Sequence, residues 1–470
     1  MTEITFGRTL DANFSSLHIP AAIRRIDLTN TMYSVFAASV IVDENNPYFR
    51  SDGKALYSKD GKILYRLFPR YIEEYTVKNG TEILDENAFA EHENLKRIVL
   101  PDGLREIGNL CFDKCGSIEE LSIPDSVAVI GKNSFMHMKS LQTLRLPENL
   151  KELGEMMLNM LTLTELYIPA SIEHISDRII TANGTFIGKY TVSPENRFFR
   201  SENGVIYSKD MTALIKAPNS VPSDFEVPES VVRIAGRAFL NCNELTEVVL
   251  PEGLKHIEVW AFFGCPLSDV TVPNSVIDIG ESAFDPLHSI TVCDTLKADP
   301  AFLFPSFTGS PLKKELIVKS SETGEIKGRI WSYIDMTDMH SLLNIYRGCF
   351  DINWNFDYDC FDRAFDKIGF EFTKACYAVY RLKNPPKPTP RAKAVFTDFL
   401  RVNGADILTE RIDRGDFERF IELADYMLTK DNIIEVADYS AQHNAVEFTA
   451  FLLDFRNKHF GSVLDNLNLD

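Results

Sequence analysis

Apolar residues recur through the first two thirds of the chain in one fixed order. Each unit carries an apolar residue, two variable residues, an apolar residue, one variable residue, an apolar residue and, in most units, a proline, as from Leu95 to Pro101. The alternation predicts a short strand with one buried face, and the proline, which cannot donate to a sheet, predicts its end. The side chains predicted to point inward are Leu95/Ile98/Leu100, Ile118/Leu121/Ile123, Leu141/Leu144/Leu146, Leu163/Leu166/Ile168, Leu245/Val248/Leu250, Leu267/Val270/Val272 and Leu287/Ile290/Val292.

The spacing of the units predicts how they stack. Phe89, Phe112 and Phe135 lie 23 residues apart, and the prolines after the strands keep the same period. A fixed period in the twenties is typical of a solenoid, in which each coil buries its apolar face only against its neighbours. A second apolar group should fill the far side of each coil: Leu104/Ile107/Phe112, Val127/Ile130/Phe135, Leu254/Ile257/Phe262 and Val276/Ile279/Phe284.

The repeat region consists of two related modules. Residues 48–60 (YFRSDGKALYSKD) return as residues 198–210 (FFRSENGVIYSKD), and further positions match at an offset of 149 or 150. These matches predict one leucine-rich-repeat module over residues 1–166 and a second over residues 167–318.

Each module contains an insertion, at residues 46–69 and 196–218. In the first insertion, the β-prone runs Ala55-Leu56-Tyr57 and Ile63-Leu64-Tyr65 flank Lys59-Asp60-Gly61. Short β-prone runs around a turn that contains Asp-Gly predict a β-hairpin.

The period changes to that of helices after residues 319–336, which are predicted to be a connector. Residues 337–470 are predicted to be α-helical, because apolar residues between Phe417 and Leu428 follow one helical stripe. Gly415 and Asp416 suit a C-cap and an N-cap before this helix. The prolines of 384–390 should interrupt the helices as a loop, and the alternative is a polyproline ligand for a partner. Further helices are expected near 338–349, 359–381, 391–402 and 431–441.

The repeat units closely resemble BspA-type leucine-rich repeats, a bacterial class. Ile107-Gly108, Ile130-Gly131 and Ile279-Gly280 match its Ile-Gly step, and its Ala-Phe step is matched at residues 88–89, 238–239, 261–262 and 283–284. The resemblance covers residues 17–318 and implies a binding or adhesion scaffold. The helical part weakly resembles ankyrin-like repeats. The predicted fold class is therefore α+β multidomain: a β-rich leucine-rich-repeat solenoid of two duplicated modules with hairpin insertions, followed by an all-α helical-hairpin domain.

Composition and charge narrow the classes of partner. The chain has 470 residues and a formal net charge of −19, which opposes binding to nucleic acid or anionic membranes. It contains no run of 18 uncharged apolar residues, so no membrane insertion is expected. The first residues lack the basic and apolar regions of a signal peptide. This favours the cytoplasm, whereas the family resemblance keeps the cell surface or secretion open.

Catalytic and metal-binding patterns are weak, so neither an enzyme nor a cofactor is predicted. Cys115, Cys242 and Cys265 follow repeat phenylalanines by three residues and are expected to be buried thiols. The most tempting metal pattern is Asp351, Asn353, Asn355 and Asp357 with Asp362 twelfth, which resembles a calcium loop. Its sixth position is Phe356, where the turn needs glycine, so a helix-capping loop is preferred.

The predicted function is a non-enzymatic scaffold that binds a protein partner along the concave face of the solenoid. The variable strand positions should line this face, where carboxylates are frequent, and the alternative is a solvated acidic face without a partner. The alternative is a ligand- or calcium-responsive module that uses the helical domain. The candidate partner-binding residues are Arg97, Glu120, Arg145, Glu165, Tyr167, Glu247 and Asp269.

Overall fold

The computed structural model describes residues 3–5, 12–27, 35–181, 184–284, 287–298, 314–332, 349, 357–368, 371–383 and 387–460. The repeat region is a β-solenoid in which strands of successive coils pair in parallel, as Arg97–Val99 does with Glu74–Thr76. All predicted inward residues are buried. The first parallel ladder comprises Glu74–Thr76 with Arg97–Val99; Thr143–Arg145, Glu165–Ile168 and Tyr190–Val192; and Asp224–Glu226 with Glu247–Val249.

A second parallel ladder runs along the opposite side of the coils, and the hairpins extend it. The hairpin strands Ala55–Ser58 and Ile63–Leu67 pair antiparallel as predicted, and Ile63–Leu67 then pairs in parallel with Ile83–Leu84 of the next coil. The insertion also contains a third strand, Phe49–Ser51, which the residue pattern does not predict. The remaining strands of these sheets are Glu106–Ile107, Val129–Ile130, Glu152–Leu153, His174–Ile175, Phe199–Glu202, Val205–Ser208, Ala213–Lys216, Arg233–Ile234, His256–Ile257 and Asp278–Ile279.

Four further pairs are parallel and short: Glu3–Thr5 with Arg25–Asp27, Ala12–Phe14 with Val35–Ala37, Leu17–Ile19 with Val40–Val42, and Thr162–Leu163 with Phe186–Ile187.

One predicted strand does not form. Residues 118–123 keep the predicted alternation, with Ile118, Leu121 and Ile123 buried, but they are not part of a strand. The first ladder is therefore interrupted before Pro124. Burial depends on the pattern within one coil, whereas a strand also needs backbone groups of the neighbouring coil in register.

Ring stacking and thiols fill the coil interior. Phe112 stacks on Phe89 with centroids 5.3 Å apart and planes within 7°, and Phe262 stacks on Phe239 at 4.6 Å. The predicted buried thiols are confirmed. Sγ of Cys115 donates to the Phe89 carbonyl at 3.1 Å, so the thiol adds a buried hydrogen bond between neighbouring coils.

A buried asparagine ties each hairpin insertion to the preceding coil. The Asn46 amide nitrogen donates to the carbonyls of Pro20 and Ile23 at 2.9 and 3.0 Å, while its oxygen accepts from the backbone nitrogens of Tyr48 and Phe49. Asn196 repeats all four bonds in the second module, with Pro169, Ile172, Phe198 and Phe199. The hairpin orientation is thus set by one residue type in both modules.

The chain divides into two compact units, residues 1–268 with 275–285, and residues 269–274 with 286–470. The second unit contains the sheet Asp269–Thr271, Ser289–Cys293, Lys314–Lys319 and Ile326–Ser332. The segment predicted as a connector therefore includes a strand. The helices among the described residues of this unit are α1 (Tyr358–Arg363), α2 (Glu371–Lys383), α3 (Pro390–Asp413), α4 (Phe417–Met427), α5 (Ile433–Gln442) and α6 (Val446–Phe460).

Two helix predictions are corrected. The helix predicted at 359–381 is divided into α1 and α2 around a 3-10 turn, Phe365–Lys367, because buried Phe365 turns inward onto Phe396 of α3. The helix predicted at 391–402 continues through Gly404, where a Cβ would come within 2.9 Å of the Met427 side chain. Glycine is thus needed for close packing of α3 and α4, not for a helix end. The predicted helix at 338–349 lies outside the described residues except for Cys349.

The predicted caps are confirmed. Gly415 has a φ of 64°, and the Asp416 side chain accepts from the Arg419 nitrogen at the start of α4. The proline-containing stretch ends with Thr389 capping α3, whose first residue is Pro390. Residues 384–386 lie outside the described part of the chain.

Candidate binding surface

The strands that precede the repeat prolines show one side chain inward and two outward. In Arg97–Val99, Asp224–Glu226 and Glu247–Val249 the central residue is buried and both neighbours are exposed. These exposed positions, with the equivalent ones of other coils, are termed the strand face. Arg97 and Glu247 are among the positions that the sequence predicts to be variable and available to a partner.

Arg97, Glu120 and Tyr167 are exposed, and 40% of Tyr167 remains accessible. Arg97 lies opposite Glu74 in the ladder, whereas Glu120 lies in the stretch without a strand. The structure therefore does not bring Arg97 and Glu120 together as ladder partners.

Arg145 already forms an ion pair with a nearby carboxylate. Its guanidinium Nη1 lies 2.9 Å from Oδ1 of Asp125, and this contact holds the pKa of the Asp125 carboxyl below its usual value. Arg145 is also the register partner of Tyr167. An exposed pair of this kind contributes little stability, so it can open for a partner.

Glu165 is engaged in a similar way. The Thr191 hydroxyl donates to its carboxylate, and Lys189 Nζ lies 3.6 Å away. The hydroxyl contact and the nearby lysine lower the pKa of Glu165. The carboxylate is therefore charged at neutral pH and held in one orientation.

The sequence missed Asp224 and Glu226, which complete the most acidic part of the strand face. Asp224 lies directly opposite Glu247, and Glu226 lies opposite Val249, which is 60% exposed. Phe225, Val227 and Pro228 repeat the end of the strand motif, a signal that could have identified this strand. Like charges placed directly opposite each other in a sheet are unfavourable.

Several other carboxylates of the coils are paired with a lysine or arginine of a neighbouring coil. Among the described residues, Asp224, Glu226 and Glu247 have neither an ion pair nor a side-chain hydrogen bond. Coil-to-coil ion pairs elsewhere include Lys62–Glu82, Lys96–Glu73, Lys114–Glu91, Lys132–Glu155, Lys151–Glu173 and Arg233–Glu258.

Asp269, the last candidate residue, belongs to the second compact unit. There it is the register partner of Ser289, whose hydroxyl donates to the Asp269 carboxylate. Its carboxylate thus has a fixed local partner.

The described aspartates of the candidate calcium loop have structural partners. Asp362 is buried and receives Arg381 Nε at 2.9 Å, Arg381 Nη2 at 3.0 Å and the Tyr377 hydroxyl at 2.5 Å. Asp357 Oδ1 accepts from the Cys360 nitrogen at the start of α1. Asp351, Asn353 and Asn355 lie outside the described residues. Within the described part, no group of three or more His, Cys, Asp or Glu side chains could hold a metal ion.

None of the helices in the described part has both the length and the apolar character needed to cross a membrane. No curated protein matches the chain. A model of the "BspA type Leucine rich repeat region" matches residues 68–185 and 219–321 with six copies.

Solved structures similar to the chain include three bacterial proteins. A leucine-rich repeat protein from Eubacterium ventriosum is 21% identical over 52% of this chain and 70% of its own, with a TM-score of 0.41. The pneumococcal vaccine antigen PcpA is 20% identical over 64% and 76%, with a TM-score of 0.42. A leucine rich cell surface protein from Faecalibacterium prausnitzii is 18% identical over 59% and 96%, with a TM-score of 0.35.

The family match coincides with the coils that carry the Ile-Gly and Phe steps and the parallel ladders described above. Residues 68–185 and 219–321 of the chain are therefore a BspA-type leucine-rich repeat region.

Proposed function

We propose that the protein is a non-enzymatic scaffold that binds a protein partner through the strand face. The observation that carries this proposal is the cross-strand pair Asp224 and Glu247, whose like charges oppose each other without a cation among the described residues. A partner that brings basic or polar groups to these carboxylates relieves their repulsion. Solenoids commonly bind along an extended face of this kind.

Apolar groups on the same face add contact area. Val249 lies opposite Glu226 in the ladder, and Tyr167 lies opposite Arg145. Tyrosine and arginine are enriched among residues that dominate protein interfaces. The charged positions should mainly control the rate of association and its salt dependence.

Site-specific photo-crosslinking in the cells that produce the protein tests this proposal. A photoreactive residue at Tyr167 or Val249 should capture the same partner, whereas one at exposed Ala128, directly before the second-ladder strand Val129–Ile130, should not. Recovery of no partner common to Tyr167 and Val249, or equal recovery from Ala128, contradicts the proposal.

Charge reversal then tests the carboxylates with the partner identified in this way. Asp224→Lys with Glu247→Lys should weaken binding at least tenfold. The control Glu152→Lys with Glu281→Lys changes the net charge equally at exposed positions away from the strand face and should leave binding unchanged. Equal losses would assign the attraction to the overall charge of −19 instead.

A further inference from the structure

The outward side of α5, in the second compact unit, carries an open cavity of about 610 Å³. Its lining residues recur three and four positions apart, so they share one side of the helix. The other side, with Ile433, Val436 and Ser440, is buried. The cavity is lined by Asp431, Ile434, Glu435, Asp438, Tyr439 and Gln442, and is termed the α5 groove.

The apolar part of the α5 groove is exposed and one wall is rigid. Ile434 is 49% exposed. The Tyr439 hydroxyl donates to the Asp413 carboxylate, with its oxygen 2.9 and 3.0 Å from the two acceptor atoms, and the Tyr439 ring stacks on His443 at 4.1 Å. The Tyr439 side chain is thus held in place by Asp413 of α3 and by His443 before a ligand binds. This lowers the entropy cost of binding.

The charges of the α5 groove have one sign. Asp431, Glu435 and Asp438 have no ion pair among the described residues, and no lysine or arginine lines the groove. Some other carboxylates of the helical part are paired, such as Glu410 with Arg411 and Glu422 with Arg419. A ligand that fits must bring cations one helical turn apart and an aliphatic group between them.

We infer that the α5 groove docks a basic, amphipathic helical segment of a protein partner. Lysines or arginines of the segment face Asp431, Glu435 and Asp438, while a leucine-like side chain packs on Ile434 against the Tyr439 ring. Helix-in-groove recognition uses this spacing of anchors. The site lies on the helical part of the chain and does not rest on the strand face.

Three fluorescent 16-residue peptides test the chemistry with the full chain. The first has lysines at turn spacing around two leucines, the second replaces the lysines by glutamates, and the third replaces the leucines by serines. In fluorescence anisotropy at 0.15 M salt, the first peptide should bind at least tenfold tighter than either other peptide. Absence of binding, or equal binding by the serine peptide, overturns the inference.

Two charge-matched variants locate the site. Glu435→Lys with Asp438→Lys should weaken binding of the first peptide at least tenfold. The control Glu418→Lys with Glu447→Lys alters exposed positions of α4 and α6 and should not. Equal weakening would show diffuse attraction to an acidic chain and overturns the inference. Circular dichroism of each variant establishes that it is folded.

Ile434→Ser supplies a test that leaves the charges in place, and it should also weaken peptide binding at least tenfold. Sedimentation of the wild-type chain and this variant tests a second copy as the occupant. A wild-type dimer that Ile434→Ser dissociates would mean self-association and would overturn the inference. Unchanged mass with weakened peptide binding supports it. None of these variants alters the strand face, so the result is independent of the proposed function.

Discussion

A Cβ atom on Gly131 would come within 2.6 Å of the backbone nitrogen of Asn109 in the preceding coil. A Cβ atom on Gly280 would likewise come within 2.2 Å of the backbone nitrogen of Val259. Neither glycine has a positive φ. The Ile-Gly step therefore keeps glycine because neighbouring coils touch there, not because the chain turns.

Gly131→Ala should destabilise the solenoid by about 1–3 kcal/mol, because backbone atoms of Asn109 must move to admit the methyl group. Gly154 occupies the same step one coil later, with nothing within 4 Å of its Cβ position. Gly154→Ala should therefore be neutral or slightly stabilising. Urea unfolding followed by circular dichroism measures both. An equal loss in the two variants would refute the contact explanation.

Lowering the pH should reduce the folding stability of the solenoid through the protonation of His92. Its ring Nδ1 lies 2.9 Å from the Phe89 carbonyl, while Nε2 is buried without a partner. Burial, with the charge of Arg66 nearby, lowers the pKa of His92 to about 4. Between about pH 6.5 and pH 4 the imidazole is therefore protonated in the unfolded chain but not in the folded chain. The free energy of unfolding falls over this range as the pH is lowered, by about 3 kcal/mol in all.

His92→Met should remove most of this loss, because Met138 fills the equivalent position of another coil. The midpoints of urea unfolding at pH 7 and pH 4.5 should then lie closer together than in the wild type. His174→Met, at an exposed position, is the control and should retain the wild-type difference.

Lys216 should make the stability of the fold depend on pH at the alkaline end of the range. It is buried, its Nζ donates to the Arg237 carbonyl at 2.6 Å, and burial lowers its pKa to about 8. Between pH 8 and about pH 10.5 only the unfolded chain keeps the proton, so this residue makes stability rise with pH, by about 3 kcal/mol in all. Lys216→Met should flatten that rise in denaturation curves at pH 7.5 and pH 10. Exposed Lys255→Met should not.

Asp362→Asn should destabilise the helical part by about 3–5 kcal/mol, because it removes the buried carboxylate that pairs with the buried guanidinium of Arg381. Asp366→Asn, four residues later and exposed, should change stability by less than about 0.5 kcal/mol. The loss of helical signal on heating measures both. A small effect of Asp362→Asn would mean that water or another residue compensates for the charge.

The burial pattern could be predicted from the sequence because it depends on positions within one coil. Leu121 is buried as predicted even though its backbone forms no strand, whereas Glu120 is exposed as predicted without a ladder partner. Sheet pairing depends on the neighbouring coil, which the periodicity of a single unit does not describe. For the same reason the Asp224–Glu247 pair was missed: it exists only when two coils are placed side by side.

The helical part was harder to predict because tertiary contacts decide its boundaries. Gly404 weakens the expectation of a continuous helix, yet its lack of a side chain lets α3 approach Met427. Asp362 looked like the last ligand of a calcium loop. Its partner Arg381 is 19 residues away, a relation that appears only after the chain has folded.

The paired anchors Asn46 and Asn196 make the two modules interchangeable at their junctions. Joining residue 45 directly to residue 196 would set Asn196 on the carbonyls of Pro20 and Ile23, which have the same geometry as its present acceptors. Misaligned recombination between the duplicated gene segments can therefore shorten or lengthen the protein by one whole module. Evolution can therefore change the length of the repeat region by one module while the fold of each module is retained.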